Sequence, residues 1–310
     1  MPKWLTILGG LFLLFLAGVF YLRQSQSPKA SRLFPMPESP TRLDIQGPRG
    51  TFVFEKTSGQ WSLREPVTFP ADLDILNYLL NTLSSVELGE SLTQRPETHD
   101  RYEITDSSGV TLKIYSQTKA EPITLVVGKM APDSAHIYLR LPPEPTVYLG
   151  TGLRRYDCEK NLDEWRDHYL LRVSSTRAIV GVGFEGKTVK REFRKSTDTW
   201  TVNEKTADPA KVDQMISRLT SIYVSRFIDP PQSLDVKKWG LRPPGQKMVI
   251  SFSDGSNAEF RLGHRDEKSQ ENVVQRMGDP ILYSVPFYYF KELNKPVDFF
   301  ISTATPAAKP

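Results

Sequence analysis

One stretch of this sequence occurs twice. Trp200 to Tyr223 reads as a tryptophan, a short strand, a loop, Pro-Ala and then a helix. Trp61 to Ser84 reads the same way, with no gap between the copies. In the first copy Leu73, Leu76, Leu80 and Leu83 step by three, four and three. Val212, Met215, Leu219 and Ile222 take the same steps in the second. That spacing places four apolar side chains on one face of a helix, to be buried against a sheet. Pro70 and Pro209 suit the first helical turn, where a missing N–H costs nothing, and Asp208 can cap the second helix.

The repeat extends outward from these units. Arg42–Gln46 and Thr51–Lys56 read as a hairpin around Gly47-Pro48, matched by 178–184 and 187–195. Short alternating segments follow each helix: 110–115, 123–128, 136–140 and 146–149, then 247–252, 258–263, 272–276 and 281–285. Strands of this length with turn residues between them predict antiparallel sheets. Landmarks recur in order: Gly128 with Gly263, Arg140 with Arg276, Tyr148 with Tyr283. The expected fold is α+β: two tandem homologous repeats, each an antiparallel sheet with a packed helix. The expected boundaries are 42–156 and 173–300, with a helical joint at 157–172 and a disordered tail at 301–310.

Ahead of the repeats, Trp4 to Leu22 is a run of nineteen residues without a charge. As a helix it reaches about 28 Å, roughly the hydrocarbon thickness of a bilayer. It is long for the apolar core of a signal peptide, and no clear cleavage site follows, so residues 1–23 read as an uncleaved transmembrane anchor. No cysteine near its end would support a lipid anchor. Lys3 precedes the run and Arg23, Lys29 and Arg32 follow it, so charge alone leaves the orientation open. Residues 24–41, with Pro28, Pro35, Pro37 and Pro40, read as a semi-extended tether.

Composition excludes little but constrains partners. The 310 residues suffice for two ordinary domains, and a net charge of +4 with both signs spread along the chain is not the basic block of a nucleic-acid binder. Cys158 is the only cysteine, so no intrachain disulfide forms.

The Trp-strand, Pro-Ala and helix units carry a resemblance, together with Trp239-Gly240-Leu241, Pro243, Leu262-Gly263, and Leu162 through Trp165-Arg166-Asp167. In this order they resemble a bacterial family catalogued as domain of unknown function 4340, over most of 42–300. The first copy departs at Tyr102-Glu103-Ile104, where the family pattern is aromatic-Gly-Leu. The resemblance implies a single-pass protein of the inner membrane with its body facing the periplasm or exterior. It also implies association with ABC-transporter or gliding-type export systems, and it carries no catalytic residue with it.

Few residues point to chemistry. Gly181 through Gly186, Lys187 and Thr188 match the phosphate-loop pattern G-x-x-x-x-G-K-[ST]. That loop needs a strand before it and a helix after it, and 189–193 alternates like a strand. The stretch therefore reads as a hairpin turn, and no cofactor is expected. His99, His136, His168 and His264 show no metal-ligand spacing. Lys187, Lys190, Arg191, Arg194 and Lys195 make a basic hairpin that reads as a solvated strand, and Asp163, Glu164 and Asp167 make an acidic group. The leading expectation is a non-catalytic binding or assembly module that serves an envelope transport complex through integral-membrane subunits. The alternatives are an envelope hydrolase with a site between the repeats and, on residues 181–188 alone, an ATP-using enzyme.

Overall fold

A computed structural model describes residues 32–173, 177–186, 189–197, 199–230, 232, 235–242 and 245–302. The chain divides into two compact units, with the break between Arg166 and Asp167. Among the described residues no helix is long and apolar enough to cross a membrane. The expected span at 4–22 lies outside the described residues.

Among the described residues the first unit has ten strands: β1 (Arg32–Leu33), β2 (Pro40–Gly47), β3 (Gly50–Thr57), β4 (Gln60–Glu65), β5 (Phe69–Pro70), β6 (Glu87–Thr93), β7 (Val110–Ser116), β8 (Lys119–Met130), β9 (Ile137–Arg140) and β10 (Val147–Thr151). Helix α1 (Leu73–Ser84) lies between β5 and β6. The second unit has β11 (Ile179–Gly186), β12 (Lys190–Ser196), β13 (Thr199–Val202), β14 (Lys205–Thr206), β15 (Arg226–Ile228), β16 (Gln246–Phe252), β17 (Asn257–Asp266), β18 (Glu271–Arg276) and β19 (Leu282–Pro286). Helix α2 (Pro209–Thr220) lies between β14 and β15.

Each unit is one antiparallel sheet with few helices. Read from one edge, the first runs β5-β4-β3-β2-β7-β8-β9-β10-β6-β1, and the second runs β14-β13-β12-β11-β16-β17-β18-β19-β15. The order is the same strand for strand, apart from β1. Even β1 has a counterpart: Phe34 N–H donates to the Val86 carbonyl at 2.8 Å, and Leu170 N–H to the Ile222 carbonyl at 3.0 Å. The strands after the helices, β6 and β15, carry weak alternation and escape a reading by periodicity. Each pairs instead with the last long strand of its unit.

Register makes the repeats comparable residue by residue. Trp61 pairs with Lys56 and Trp200 with Lys195. Both tryptophans are buried, deeper than the half-burial that a strand facing one helix predicts, at 6% and 4% exposure. The helices need a corrected alignment. Pro70 belongs to β5, and α1 is capped by Asp72, whose side chain accepts from Asp74 and Ile75 N–H. Asp208 caps α2 through Ala210 N–H, with Pro209 in the first turn. Trp61 is eleven residues from Asp72 and Trp200 eight from Asp208, so the first copy carries three extra residues before its helix. The buried stripe in the first copy is therefore Leu76, Leu79, Leu83 and Val86. Leu73 is exposed and Leu80 only partly buried, because the insertion shifts the helical frame by almost a full turn. Val212, Met215, Leu219 and Ile222 are buried as their spacing predicts.

The landmark strands behave likewise. Val127 pairs with Leu139 and Leu262 with Val274, and Tyr148 and Tyr283 pair with those same partners. Gly128 and Gly263 are thus equivalent, and so are Tyr148 and Tyr283. Arg140 is equivalent to Gln275, not Arg276, and a slip of one residue turns a side chain to the other sheet face.

The segment 157–172 is not one helical joint. Leu162–Trp165 is a single helical turn that closes the first unit. Trp165 is fully buried, its ring 5.1 Å from Phe54 in an edge contact, and its carbonyl accepts Asp72 N–H at 2.9 Å. Val297–Phe300 closes the second unit in the same way. Phe300 lies 4.9 Å from Phe193, also edge-on, and its carbonyl accepts Asp208 N–H at 2.7 Å. Ile301 bridges to Ala207, so 301 and 302 belong to the fold, whereas 303–310 lie outside the described residues. At the other end, β1 and the buried Phe34 bring 32–41 into the sheet. Residues 32–41 of the expected tether thus belong to the first unit, and 24–31 lie outside the described residues.

Trp165→Ala and Phe300→Ala each remove a fully buried aromatic side chain. Each should lower unfolding free energy by about 3–5 kcal/mol, read by denaturant titration.

Candidate functional site

Most side chains that could carry chemistry are held by the fold itself. Gly181 and Gly186 lie on β11, which pairs with the antiparallel β12, and Gly186 N–H donates to the Val189 carbonyl at 2.7 Å. The element after the motif is thus a strand. Lys187 and Thr188 lie outside the described residues. Gly181 and Gly183 occupy the register of Arg42 and Asp44 in the first repeat. There Arg42 forms a bidentate pair with Asp44 at 2.7 and 3.1 Å, and Tyr115 donates to Asp44 at 3.1 Å. The bond to Asp44 holds Arg42 above its ordinary pKa, and burial, followed by the Asp44 charge, pushes Tyr115 up.

The histidines do not converge. Buried His99 donates from Nε2 to the Pro145 carbonyl at 2.8 Å. His136 Nδ1 lies 2.6 Å from Asp133, and that bond holds the Asp133 carboxyl below its usual range. His168 donates from Nδ1 to the Val224 carbonyl at 2.7 Å and stacks on Tyr223 at 4.8 Å. His264 is exposed on β17. Among the described residues no three His, Cys, Asp or Glu side chains gather as a metal site would require.

The acidic group is split between the units. Asp163 pairs with buried Arg166 at 3.1 Å, and Glu164 closes a capping box with Asn161. Asp167 accepts Tyr169 N–H and both arms of Arg172, at 2.6 and 2.8 Å. The basic hairpin is divided between two sheet faces. Arg191 is buried and donates to the Lys295 carbonyl, and burial pushes its pKa down. Arg194 pairs with Glu192, while Lys190 and Lys195 are exposed. Cys158 is buried, with its thiol pushed up to about 12 by burial and then by the Asp157 charge. A thiol of that pKa is not a nucleophile at neutral pH.

One constellation stands apart, at the turn 235–242 of the second unit. Leu241 packs with Ile228, Val273 and Leu282 on the sheet face opposite α2, and half-buried Trp239 lies against them. Leu241 N–H donates to the Val236 carbonyl and Gly240 N–H to the Lys237 carbonyl. The first repeat builds the same turn: Ile104 N–H donates to His99, Glu103 N–H to Asp100, and Ile104 packs with Val126 and Val147. Glu103, at φ 54, adopts the left-handed conformation that Gly240 adopts at φ 70. The departure from aromatic-Gly-Leu in the first copy is therefore a change of residue and not of backbone. Gly240 has a second reason: a methyl group there would lie 2.5 Å from the His264 ring.

The turn is pinned to the sheet at a bulge. Pairing shifts between Leu262 and Arg265, as it does between Val127 and Met130. His264 N–H donates to the Trp239 carbonyl at 3.0 Å. A methyl group on Gly263 would stand 2.0 Å from that carbonyl oxygen, and one on Gly128 would stand 2.3 Å from the Tyr102 carbonyl oxygen. Around this bond Lys237, Lys238, Arg242, His264 and Arg265 are all exposed. Periodicity cannot find the cluster, because the turn and β17 are distant in sequence and only the bulge brings them together.

The chain matches the family described as Domain of unknown function (DUF4340) over residues 61–206 and again over 200–305. It belongs to that family. The two family matches begin at Trp61 and Trp200, which are equivalent in the sheets. The family's description assigns no activity. No curated protein and no solved structure matches the chain.

Two outcomes test the assignment of these side chains. Cys158 in the folded protein should resist iodoacetamide at pH 8 and react once the chain is unfolded, as read by mass spectrometry. Calorimetry with ATP and Mg2+ should give no saturable binding, and Lys187→Ala should give the same trace.

Proposed function

We infer that this family member is a membrane-anchored extracytoplasmic binding or assembly module, a non-catalytic accessory of an ABC-type envelope transport complex. The observation that carries this reading is how the titratable side chains are used. The candidates at 99, 136, 158, 163, 164, 167 and 191 each hold a turn, a strand end or a core position. The surface that remains is suited to contact and not to bond-making.

The apolar run Trp4–Leu22 supports the anchor. With Leu22 as the last residue of the span and Arg32 the first in the sheet, the linking chain reaches at most about 35 Å. A body held that close has a raised effective concentration toward membrane partners. Two tandem copies of one fold offer two related surfaces, one able to bind while the other spaces or orients. This reading places the protein in the inner membrane, with its partners among integral-membrane transport subunits.

The full chain, extracted in mild detergent, should co-purify with integral-membrane transport subunits. A chain beginning at residue 31, which keeps β1 and Phe34, should fold and recover those subunits at least about tenfold less, given the loss of effective concentration. Undiminished cellular function of that shorter chain would refute the anchored reading.

A further inference from the structure

We propose that the turn carrying Trp239 docks on anionic lipid headgroups, so that the second unit as well as the anchor contacts the bilayer. The proposal rests on the membrane reading above, and its test separates the two.

The repeats supply an internal control. Both build this turn with the same backbone hydrogen bonds, the same bulge and the same apolar plug. Lys237, Lys238 and Arg242 stand where the first repeat has Asp100, Arg101 and Thr105, and Arg265 stands where it has Met130. The fold forms without cations in the places of 237, 242 and 265, so the fold does not explain those three, whereas Arg101 keeps a cation in the place of Lys238 and Lys129 stands where the second repeat has His264. In the first repeat two carboxylates at or just after the turn are paired: Glu103 with Arg155 at 2.9 Å, and Asp106 with Arg140 at 3.8 Å.

Asp235, Asp266 and Glu267 lie near the turn and offset only part of the charge of Lys237, Lys238, Arg242 and Arg265. Asp235 is used in accepting Lys238 N–H at 3.1 Å. Asp266 accepts Ser269 and Lys268 N–H, which hold its pKa down, and Glu267 is exposed at the neighbouring hairpin tip. Arg265 lies over Phe287 at 4.1 Å and donates to Gln270, and Lys238 lies over the Trp239 ring at 5.0 Å. The asymmetry extends to the whole units. Residues 32–166 hold 15 Lys and Arg against 19 Asp and Glu, whereas residues 167–302 hold 21 against 17. A half-buried indole with Lys238 over its ring, on a turn that also exposes Lys237 and Arg242 and is pinned beside exposed Arg265, fits the headgroup layer, where an aromatic ring sits at the interface and cations meet lipid phosphates. The occupant is an anionic bilayer because the charge is complementary and the chain's own apolar run places such a surface within reach.

The test uses the full chain in vesicles of phosphatidylcholine alone and of phosphatidylcholine with phosphatidylglycerol. Lysine acylation is followed by mass spectrometry, with exposed Lys113 and Lys119 of the first unit as references. Anionic lipid should slow acylation of Lys237 and Lys238 about fivefold and leave the references unchanged, with the protection lost at high salt. The variant Arg242→Gln/Arg265→Gln should restore both rates while unfolding at the same temperature as the parent. Equal rates in the two vesicle types would overturn the proposal. So would protection by soluble polyphosphate without protection by anionic vesicles, which would point to a soluble polyanion. Release of the chain from neutral vesicles by alkaline wash overturns the anchor alone, and lysine protection on added anionic vesicles then still decides the surface.

Discussion

The contact on which each unit depends is between its last aromatic and its first hairpin. Trp165 meets Phe54, and Phe300 meets Phe193, both edge-on and both fully buried. A twisted sheet with one helix on its face leaves part of that face uncovered, and the closing aromatic fills the gap. Its carbonyl then accepts the N–H of the helix cap, Asp72 or Asp208. Sheet, helix and closing turn are thereby tied at one point, although they come from opposite ends of each repeat. Aromatic edge contacts contribute about 0.5–1.5 kcal/mol beyond their burial, and the burial is larger still.

Two copies of one fold separate what the fold requires from what it tolerates. The glycines at 128 and 263 are required, because a carbonyl oxygen occupies the place of a side chain. The left-handed residue of the turn is required as a conformation but not as a glycine, since Glu103 adopts it. The outer face of the sheet is tolerated variation: Arg42 and Asp44 in one copy are Gly181 and Gly183 in the other. The phosphate-loop pattern arises in this tolerant region, where the strand pairing on both sides leaves no place for the helix that phosphate binding needs.

The same comparison isolates the cations around Trp239. Their backbone frame recurs in the first repeat, and of their charges only that of Lys238 recurs, at Arg101. At this turn the two copies therefore differ in the charge that they offer a partner.

The tandem plan, the antiparallel class and the stripe of the second helix were legible in the sequence, because periodicity and turn residues are local signals. The stripe of the first helix was misframed, since three inserted residues are invisible until the cap at Asp72 fixes the start. The strands β6 and β15 were not legible, because pairing with the end of the unit and not alternation makes them strands. The segment 157–172 has the composition of a joint, and only tertiary contact makes Trp165 a core residue of the first unit. The basic turn followed the same rule. Lys237, Lys238 and Arg242 are plain in the sequence, but the pinning of their turn to His264, next to Arg265, depends on a bulge that no local pattern encodes. The sequence alone determined which elements form and that they form twice; the tertiary structure decided where each element ends and which distant residues share a surface, since those depend on non-local hydrogen bonds and burial.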